Sequence, residues 1–501
     1  MHHVIRKQSI NFPNKACFFN IEREISNSSI WNSQECPKLW LYNLHYFDDL
    51  NAANSFRQVD QYETLILRWI AENRVGKGIG WEPYPTSLRI VNWIKWCLSG
   101  NQLNERIRQS LVLQARWLSR MFEFHILGNH LFANIKAILF VGIYFSGKEA
   151  DSWYLRGLKL LEGQLEQQIL SDGGHFELSP MYHDILIEDL LDIVQLHKLF
   201  DRSVPKYIDE VIPRMLTWSK LMTHPDGDLP FFNDSALGVA GTFGDLAEYA
   251  QRLGYDLSSV HGKLTYLPES GYVRMVSDEA VVLADIAQVG PDYQPGHAHA
   301  DTLSFEFSLS GERVIVNGGT STYDVNEERQ RQRGTSAHST VTIDSQNSSE
   351  VWAGFRVARR ARVIGGGVKD SEGLWAFGEH DGYSRLSDSL RHRREWNLLT
   401  RVLNVYDCIS GCGNHFIEIY FHLTPKFIPR ISKNKIVEIL CEESRKLHCS
   451  FRSSEPEFLY LQKTTWHPFF GCGIPSWSIV IRLNHDLPFS HHAQFDWRNL
   501  H

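Results

Sequence analysis

The spacing of apolar residues changes character near residue 268. Upstream, apolar residues recur every three or four positions, as on one face of a helix. Tyr62–Glu72 and Leu111–Phe122 have this spacing, and Ile185–Phe200 is amphipathic, with Glu188 and Asp189 on its wetter side. Leu131–Phe145 (LFANIKAILFVGIYF) is apolar nearly all round, which predicts a helix buried among others. Downstream, SGYVRMVSDEAVVLADIA, LSFEFSLSGERVIVNGG and STVTIDSQ alternate apolar with polar, the pattern of antiparallel strands in a sandwich. HFIEIYFHL and SWSIVIRL continue it, and Gly365–Gly367 reads as a glycine turn. A chain of 501 residues exceeds one ordinary core. The expectation is therefore two domains: residues 1–265 as an array of helical hairpins, and residues 266–501 as an antiparallel β-sandwich domain.

Composition narrows the class. With 43% hydrophobic and 22% charged residues the chain is globular rather than disordered. A net charge of −7 argues against non-specific nucleic-acid binding. Within this acidic total, Arg329–Arg362 holds seven arginines and only two acids, Asp344 and Glu350. Such a strip suits a polyanionic ligand, and equally suits a solvated strand face with scattered ion pairs. The eight cysteines show neither C-x-x-C nor zinc-knuckle spacing, so free thiols are expected. The N-terminus lacks the apolar core of a secretory signal, and no run approaches the roughly 18 apolar residues of a membrane span. As written the chain reads as cytoplasmic; an incomplete N-terminus would make it periplasmic.

Four clusters can carry chemistry. Gly128-Asn129-His130 opens the apolar helix, where Asn either caps the helix or offers a donor to an anion. Asp172-Gly-Gly-His175-Phe-Glu177-Leu-Ser-Pro-Met-Tyr182-His183 is dense in titratable side chains at a helix entrance, and Gly173-Gly174 permits a tight loop. In Gly296-His297-Ala-His299-Ala-Asp301 an extended chain would put His297, His299 and Asp301 on one face. That makes a metal-ligand set or a base with its partner. The fourth cluster is Val316-Asn317-Gly-Gly-Thr320 with Arg333 and His338. His338 enters another strand and meets His299 if those strands are neighbours. A glycosidase needs two carboxylates flanking the scissile bond. Here Tyr, His and Asn are concentrated instead, an inventory suited to proton abstraction beside a carboxylate.

On these motifs the chain resembles the heparinase II/III family. The likeness also takes in Trp40-Leu-Tyr-Asn43-Leu-His45-Tyr-Phe-Asp48, Trp81-Glu-Pro-Tyr-Pro-Thr-Ser87-Leu-Arg89-Ile-Val-Asn92-Trp93 and Ala337-His338-Ser-Thr-Val. The resemblance implies an N-terminal incomplete (α/α) toroid followed by a C-terminal antiparallel β-sandwich domain. It implies a polysaccharide lyase that cleaves a uronate-containing acidic glycan by β-elimination. Asn129 matches the residue that neutralises the uronate carboxylate, with His130 beside it. Tyr182 matches the proton donor to the leaving O4, and His297 the catalytic His of the sheet domain. Arg89, Glu177, Arg333 and Arg356 are candidates for holding substrate. The chemistry needs no cofactor. The family also allows a structural zinc or calcium, for which His299, Asn317 and His338 are the matching positions, with Asn317 where a carboxylate is usual. An acidic polysaccharide is the expected partner, in bacterial capsule or surface-polysaccharide metabolism. Two alternatives stay open: a glycoside hydrolase on a similar toroid, with Glu177 and Asp184 as its acids, and a non-catalytic glycan-binding or assembly protein.

Overall fold

The computed structural model describes residues 4–257, 262–386, 390–443 and 446–497. The chain divides into two compact units. One holds Met1–Ile169, Asp184–Leu216 and Gly244–Ser258; the other holds Leu170–His183, Thr217–Phe243 and Ser259–His501.

The first unit is helical. Its helices include Val59–Glu72, Pro83–Leu98, Glu105–Leu118, Gly128–Tyr144 and Lys148–Gln168. The helix Gly128–Tyr144 is buried on nearly every side, as its unbroken apolar sequence requires. It packs backbone to backbone on the next helix, because a Cβ at Gly142 would fall 2.6 Å from the Tyr154 nitrogen. Glu188 and Asp189 do not line a wet face. Glu188 is buried and ion-paired to Arg6, while Lys136 bridges Asp189 and the buried Asp192. Buried charge is tolerated here because each group finds an opposite partner. The N-terminal stretch adds a small three-stranded antiparallel sheet, Ile10–Asn11, Lys15–Phe18 and Ile21–Glu24, ahead of the helices.

The second unit is a sandwich of two antiparallel sheets among the described residues. One has eight strands, in spatial order 363–371, 373–380, 391–398, 402–410, 489–496, 447–453, 437–441, 427–431. The other has nine, running 459–466, 474–486, 414–423, 312–316, 305–309, 280–285, 272–276, 264–267, with 341–343 also paired to 414–423. Alternation decides which side chains face inward: Gly373–His380 buries every second residue. Facing side chains from the two sheets form one core, with Phe305 near Trp396 and Phe307 near Phe495. Gly365–Gly367 is not a turn. The three glycines lie inside the exposed edge strand Val363–Ser371, paired to Gly373–His380. The reversal comes instead at Glu372, next to Gly373 with φ +96°.

The strand Ala280–Asp285 is buried at every position, on both faces. Its outer face is covered by Leu178, Trp218, Leu221, Met222 and Phe232. These come from Leu170–His183 and Thr217–Phe243, segments that precede the sheets in sequence yet belong to this unit. The cover is what brings a helix-entrance loop onto the sheet. All eight cysteines are free; Cys36 and Cys449 are buried, and Cys408 and Cys412 are exposed.

Candidate active site

The loop Leu170–His183 is tied down at both ends before it presents any chemistry. The Asp172 carboxylate accepts from the Gly174 nitrogen and from both the nitrogen and hydroxyl of Ser270. Gly173 has φ +92°, and a Cβ on Gly174 would meet the Trp218 indole nitrogen at 2.7 Å, so both glycines are needed. Further along, Leu178 is held at φ +60°, a region that side-chain-bearing residues rarely occupy. Its carbonyl accepts from Asn233 Nδ2 at 3.0 Å and from the Tyr272 hydroxyl at 2.6 Å, which stabilises the turn. Ser179 Oγ then donates to the Asp234 carbonyl and accepts from the Tyr182 nitrogen. This turn separates Glu177 from Tyr182 and aims both at one histidine.

That histidine is His297. Its ring stacks on the Tyr182 ring with centroids 3.9 Å apart and planes 19° from parallel. Its Nδ1 hydrogen-bonds Glu177 Oε2. Burial works against charge on Glu177, but the charge and hydrogen bond of His297 outweigh it, and the carboxyl sits below its ordinary range. An ionised carboxylate only accepts, so His297 Nδ1 carries the hydrogen of that bond and Nε2 is the ring nitrogen that Glu177 leaves unengaged. Glu177 Oε1 is buried without a partner. The Tyr182 hydroxyl meets the Tyr323 hydroxyl at 2.9 Å. Burial pushes the Tyr323 phenol well above its ordinary value, so this neighbour remains a neutral donor. An imidazole, a phenol and a charged carboxylate are thus in direct contact. Such a set can move a proton.

His299 faces elsewhere. The segment is a turn, with the strand beginning only at Phe305, so His297, His299 and Asp301 do not share a face. His299 Nε2 contacts Asp234 Oδ1 at 2.9 Å and its Nδ1 contacts His338 Nε2 at 3.2 Å, all fully buried. Asp234 is also ion-paired with Arg329, whose charge holds the carboxyl far below its ordinary value against the cost of burial. The Asn317 carbonyl accepts from the Ser339 nitrogen and its amide donates to Ser304. Zinc or calcium needs several donors converging on one point. Asn317 is spent on other hydrogen bonds and Asp234 on Arg329. Among the described residues no group of three His, Cys, Asp or Glu is placed to hold a metal ion. The residues present do not fit a divalent ion.

The candidate arginines separate by burial. Arg89 is fully buried in the helical unit, its guanidinium 3.8 Å over the Trp69 ring and bonded to Gln114 and the His45 carbonyl. That is a core position, out of reach of a glycan. Arg333 is also fully buried; it donates to the carbonyls of Ala298, Ala353 and Arg356, and burial lowers it to about 10. Arg356 alone of these three is exposed, on the hairpin Glu350–Trp352 and Arg356–Ala358.

Asn129 and His130 belong to the helical unit. The helix Gly128–Tyr144 is preceded by Leu127 at φ +64° and has no side-chain cap, so Asn129 does not cap it. Instead Asn129 hydrogen-bonds Tyr84, whose ring stacks on His130 at 4.3 Å. His130 Nδ1 also meets Glu123 Oε1 at 3.1 Å, and Asn134 holds that same carboxylate in place. Both side chains are half-exposed at the uncapped start of the helix. Backbone N–H groups without intrahelical partners collect there, and with the helix dipole they favour an anion. Tyr323, Asn233, Asp234 and Arg329 were not singled out from the sequence. Their spacing carries no motif, and only the basic strip hinted at Arg329.

Two family profiles cover most of the chain: "Heparinase II/III N-terminus" over residues 61–251 and "Heparinase II/III-like, C-terminal" over residues 261–497. The chain belongs to the heparinase II/III family. A heparin-sulfate lyase of Bacteroides stercoris is 25% identical over 242 residues, 44% of this chain and 36% of that protein. The FtsZ-localized protein C of Caulobacter vibrioides is 28% identical over 263 residues, 50% of this chain and 43% of that one. The aligned stretches therefore span less than half the length of these relatives, and one relative is named for its localisation rather than for lyase activity. The crystal structure of heparinase III superposes with a TM-score of 0.75 at 18% identity, covering 93% of this chain and 78% of that one. The fold is accordingly an incomplete (α/α) toroid followed by an antiparallel β-sandwich domain. Among the described residues no helix is long and apolar enough to cross a membrane.

Proposed function

We propose that this protein is a lyase that cleaves a uronate-containing polysaccharide by β-elimination. The observation that carries the reading is the stack of Tyr182 on His297, with His297 Nδ1 held by Glu177. In elimination the C5 proton leaves, the C4–C5 double bond forms, and the C4–O4 bond breaks as O4 takes a proton. His297 Nε2 and the Tyr182 hydroxyl are the acid–base pair for these two transfers, a contribution on the order of 10²–10⁴-fold. The resemblance assigns Asn129 to neutralising the uronate carboxylate, a hydrogen bond of the kind that stabilises the charge spreading onto that group in the enolate-like state.

The hydrolase alternative fares worse. A glycosidase acid needs a carboxyl raised so that it carries a proton near neutrality. Glu177 is held below its ordinary value and is committed to His297. The substrate class is an acidic glycan, and a role in bacterial surface polysaccharide is the setting we infer. The test is incubation with heparosan, heparan sulfate, alginate and hyaluronan while following ultraviolet absorbance of the unsaturated uronate. Rising absorbance that is lost in Tyr182→Phe and His297→Ala supports elimination. New reducing ends without absorbance would establish a hydrolase instead.

A further inference from the structure

Most of the basic strip expected to meet a polyanion already has partners within the chain. Arg329 pairs with Asp234, Arg331 with Glu328, Arg359 with Glu350 and Arg360 with Asp292. Arg333 serves backbone carbonyls. Arg356 and Arg362 are exposed and, among the described residues, neither makes a side-chain ion pair or hydrogen bond; of the two, Arg356 lies on the hairpin Glu350–Trp352 and Arg356–Ala358, with the aromatic residues there. Arg356 is in register with Trp352 across the hairpin, so the two side chains emerge side by side on one face.

This hairpin is rigidly held beside His297. Arg329 Nε donates to the Gly354 carbonyl, Gln330 to the Ala353 carbonyl, and Arg333 to the carbonyls of Ala353 and Arg356. The same Arg333 guanidinium bonds the carbonyl of Ala298, the residue after His297. At the tip, the Phe355 ring meets the His297 ring edge-on at 6.1 Å and remains 41% exposed, while Trp352 is 56% exposed. Large aromatic faces left open on a backbone fixed this firmly suit a flat ligand surface rather than a core.

We propose that the hairpin Glu350–Ala358 is a sugar subsite, where Trp352 and Phe355 take the C–H face of the ring next to the one at His297 and Arg356 takes a single acidic group. The assignment rests on the glycan reading above, but not on the elimination step. A single unpaired arginine on the hairpin, beside two aromatic faces, selects a sparsely charged chain, about one carboxylate per disaccharide, over a densely sulfated one. A dense polyanion would need many unpaired cations to replace its counterions.

The experiment is affinity electrophoresis of the full chain in gels containing heparosan, the unsulfated glucuronate–N-acetylglucosamine polymer, or heparin. The expected result is retardation by heparosan that weakens about tenfold in Trp352→Ala and in Phe355→Ala, and several-fold in Arg356→Ala. Trp352→Phe should keep most of it, which excludes a folding defect. Unchanged retardation in all three alanine variants, or stronger retardation by heparin than by heparosan, would overturn the proposal. A drop in sedimenting mass for Trp352→Ala would also overturn it, marking the hairpin as an interface between copies. Because the readout is binding, loss of retardation in a protein that shows no elimination would leave the subsite standing and sink only the lyase reading.

Discussion

Two histidine–carboxylate pairs stand two residues apart in the sheet unit, and they are built for different ends. His299 is paired with Asp234, fully buried, and every contact is answered: Arg329 and Thr320 also bond the carboxylate, and His338 meets the other ring nitrogen. His297 is paired with Glu177, its side chain 13% exposed, with one ring nitrogen unengaged and one Glu177 oxygen left over. Saturation makes the first pair architecture, since a fully partnered buried charge has nothing left to give a substrate. Incompleteness leaves the second pair with groups still open to a ligand. The two are joined through one residue: the Asp234 nitrogen donates to the His297 carbonyl while its carboxylate holds His299 and Arg329.

The sharpest break in this comparison is Asp234→Asn. It leaves Arg329 buried without a full counter-charge, a defect that costs about 3–5 kcal/mol. Urea denaturation should show that loss, and elimination should fall with it. A variant as stable as the wild type would mean that the inner pair is not architecture. Tyr182→Phe should do the opposite, cutting kcat by roughly 10²–10⁴-fold with the melting temperature unmoved. Equal loss of stability would merge the two classes of pair.

Glu177→Gln comes next in size. It removes the acceptor that fixes the His297 tautomer, and kcat should fall by about tenfold or more while KM changes little. Its stability effect has a definite sign. The native carboxyl is depressed, so the stabilisation is present above the ordinary carboxylate pKa of about 4.3 and is lost as pH falls below it. Wild type and variant should therefore converge in melting temperature as pH falls below that value. Divergence there would mean the pair is not charged in the native state. Smallest of all is the effect of chelator. Exhaustive dialysis against a metal chelator should change activity and melting temperature negligibly, and a clear loss of either would restore a metal to His299 and His338.

The site was only partly legible in the sequence. Tyr182 and His297 stand in dense motifs, and the change in apolar period placed helices before strands. Asp234 and Tyr323 gave no such signal, because what makes them matter is a chain reversal: a segment that precedes the sheets folds over the strand Ala280–Asp285. Charge type misled as well. Arg89 and Arg333 look like anion holders in a string of letters, yet one lies against Trp69 and the other feeds backbone carbonyls. Glu188 looked solvated because helical periodicity cannot show that Arg6, 182 positions earlier, covers it. The glycines at 365–367 read as a turn because small residues are frequent in turns; an exposed edge strand tolerates them equally well.

Arg329 and Arg333 also bear on how this protein can change. Their grip is on carbonyl oxygens, which every residue type possesses, so the tip of the hairpin is fastened without reference to its own side chains. Trp352, Phe355 and Arg356 can be exchanged while the fastening and the stack of Tyr182 on His297 behind it are left alone. A library randomised at those three positions should therefore yield mostly folded proteins that differ in the glycans they prefer.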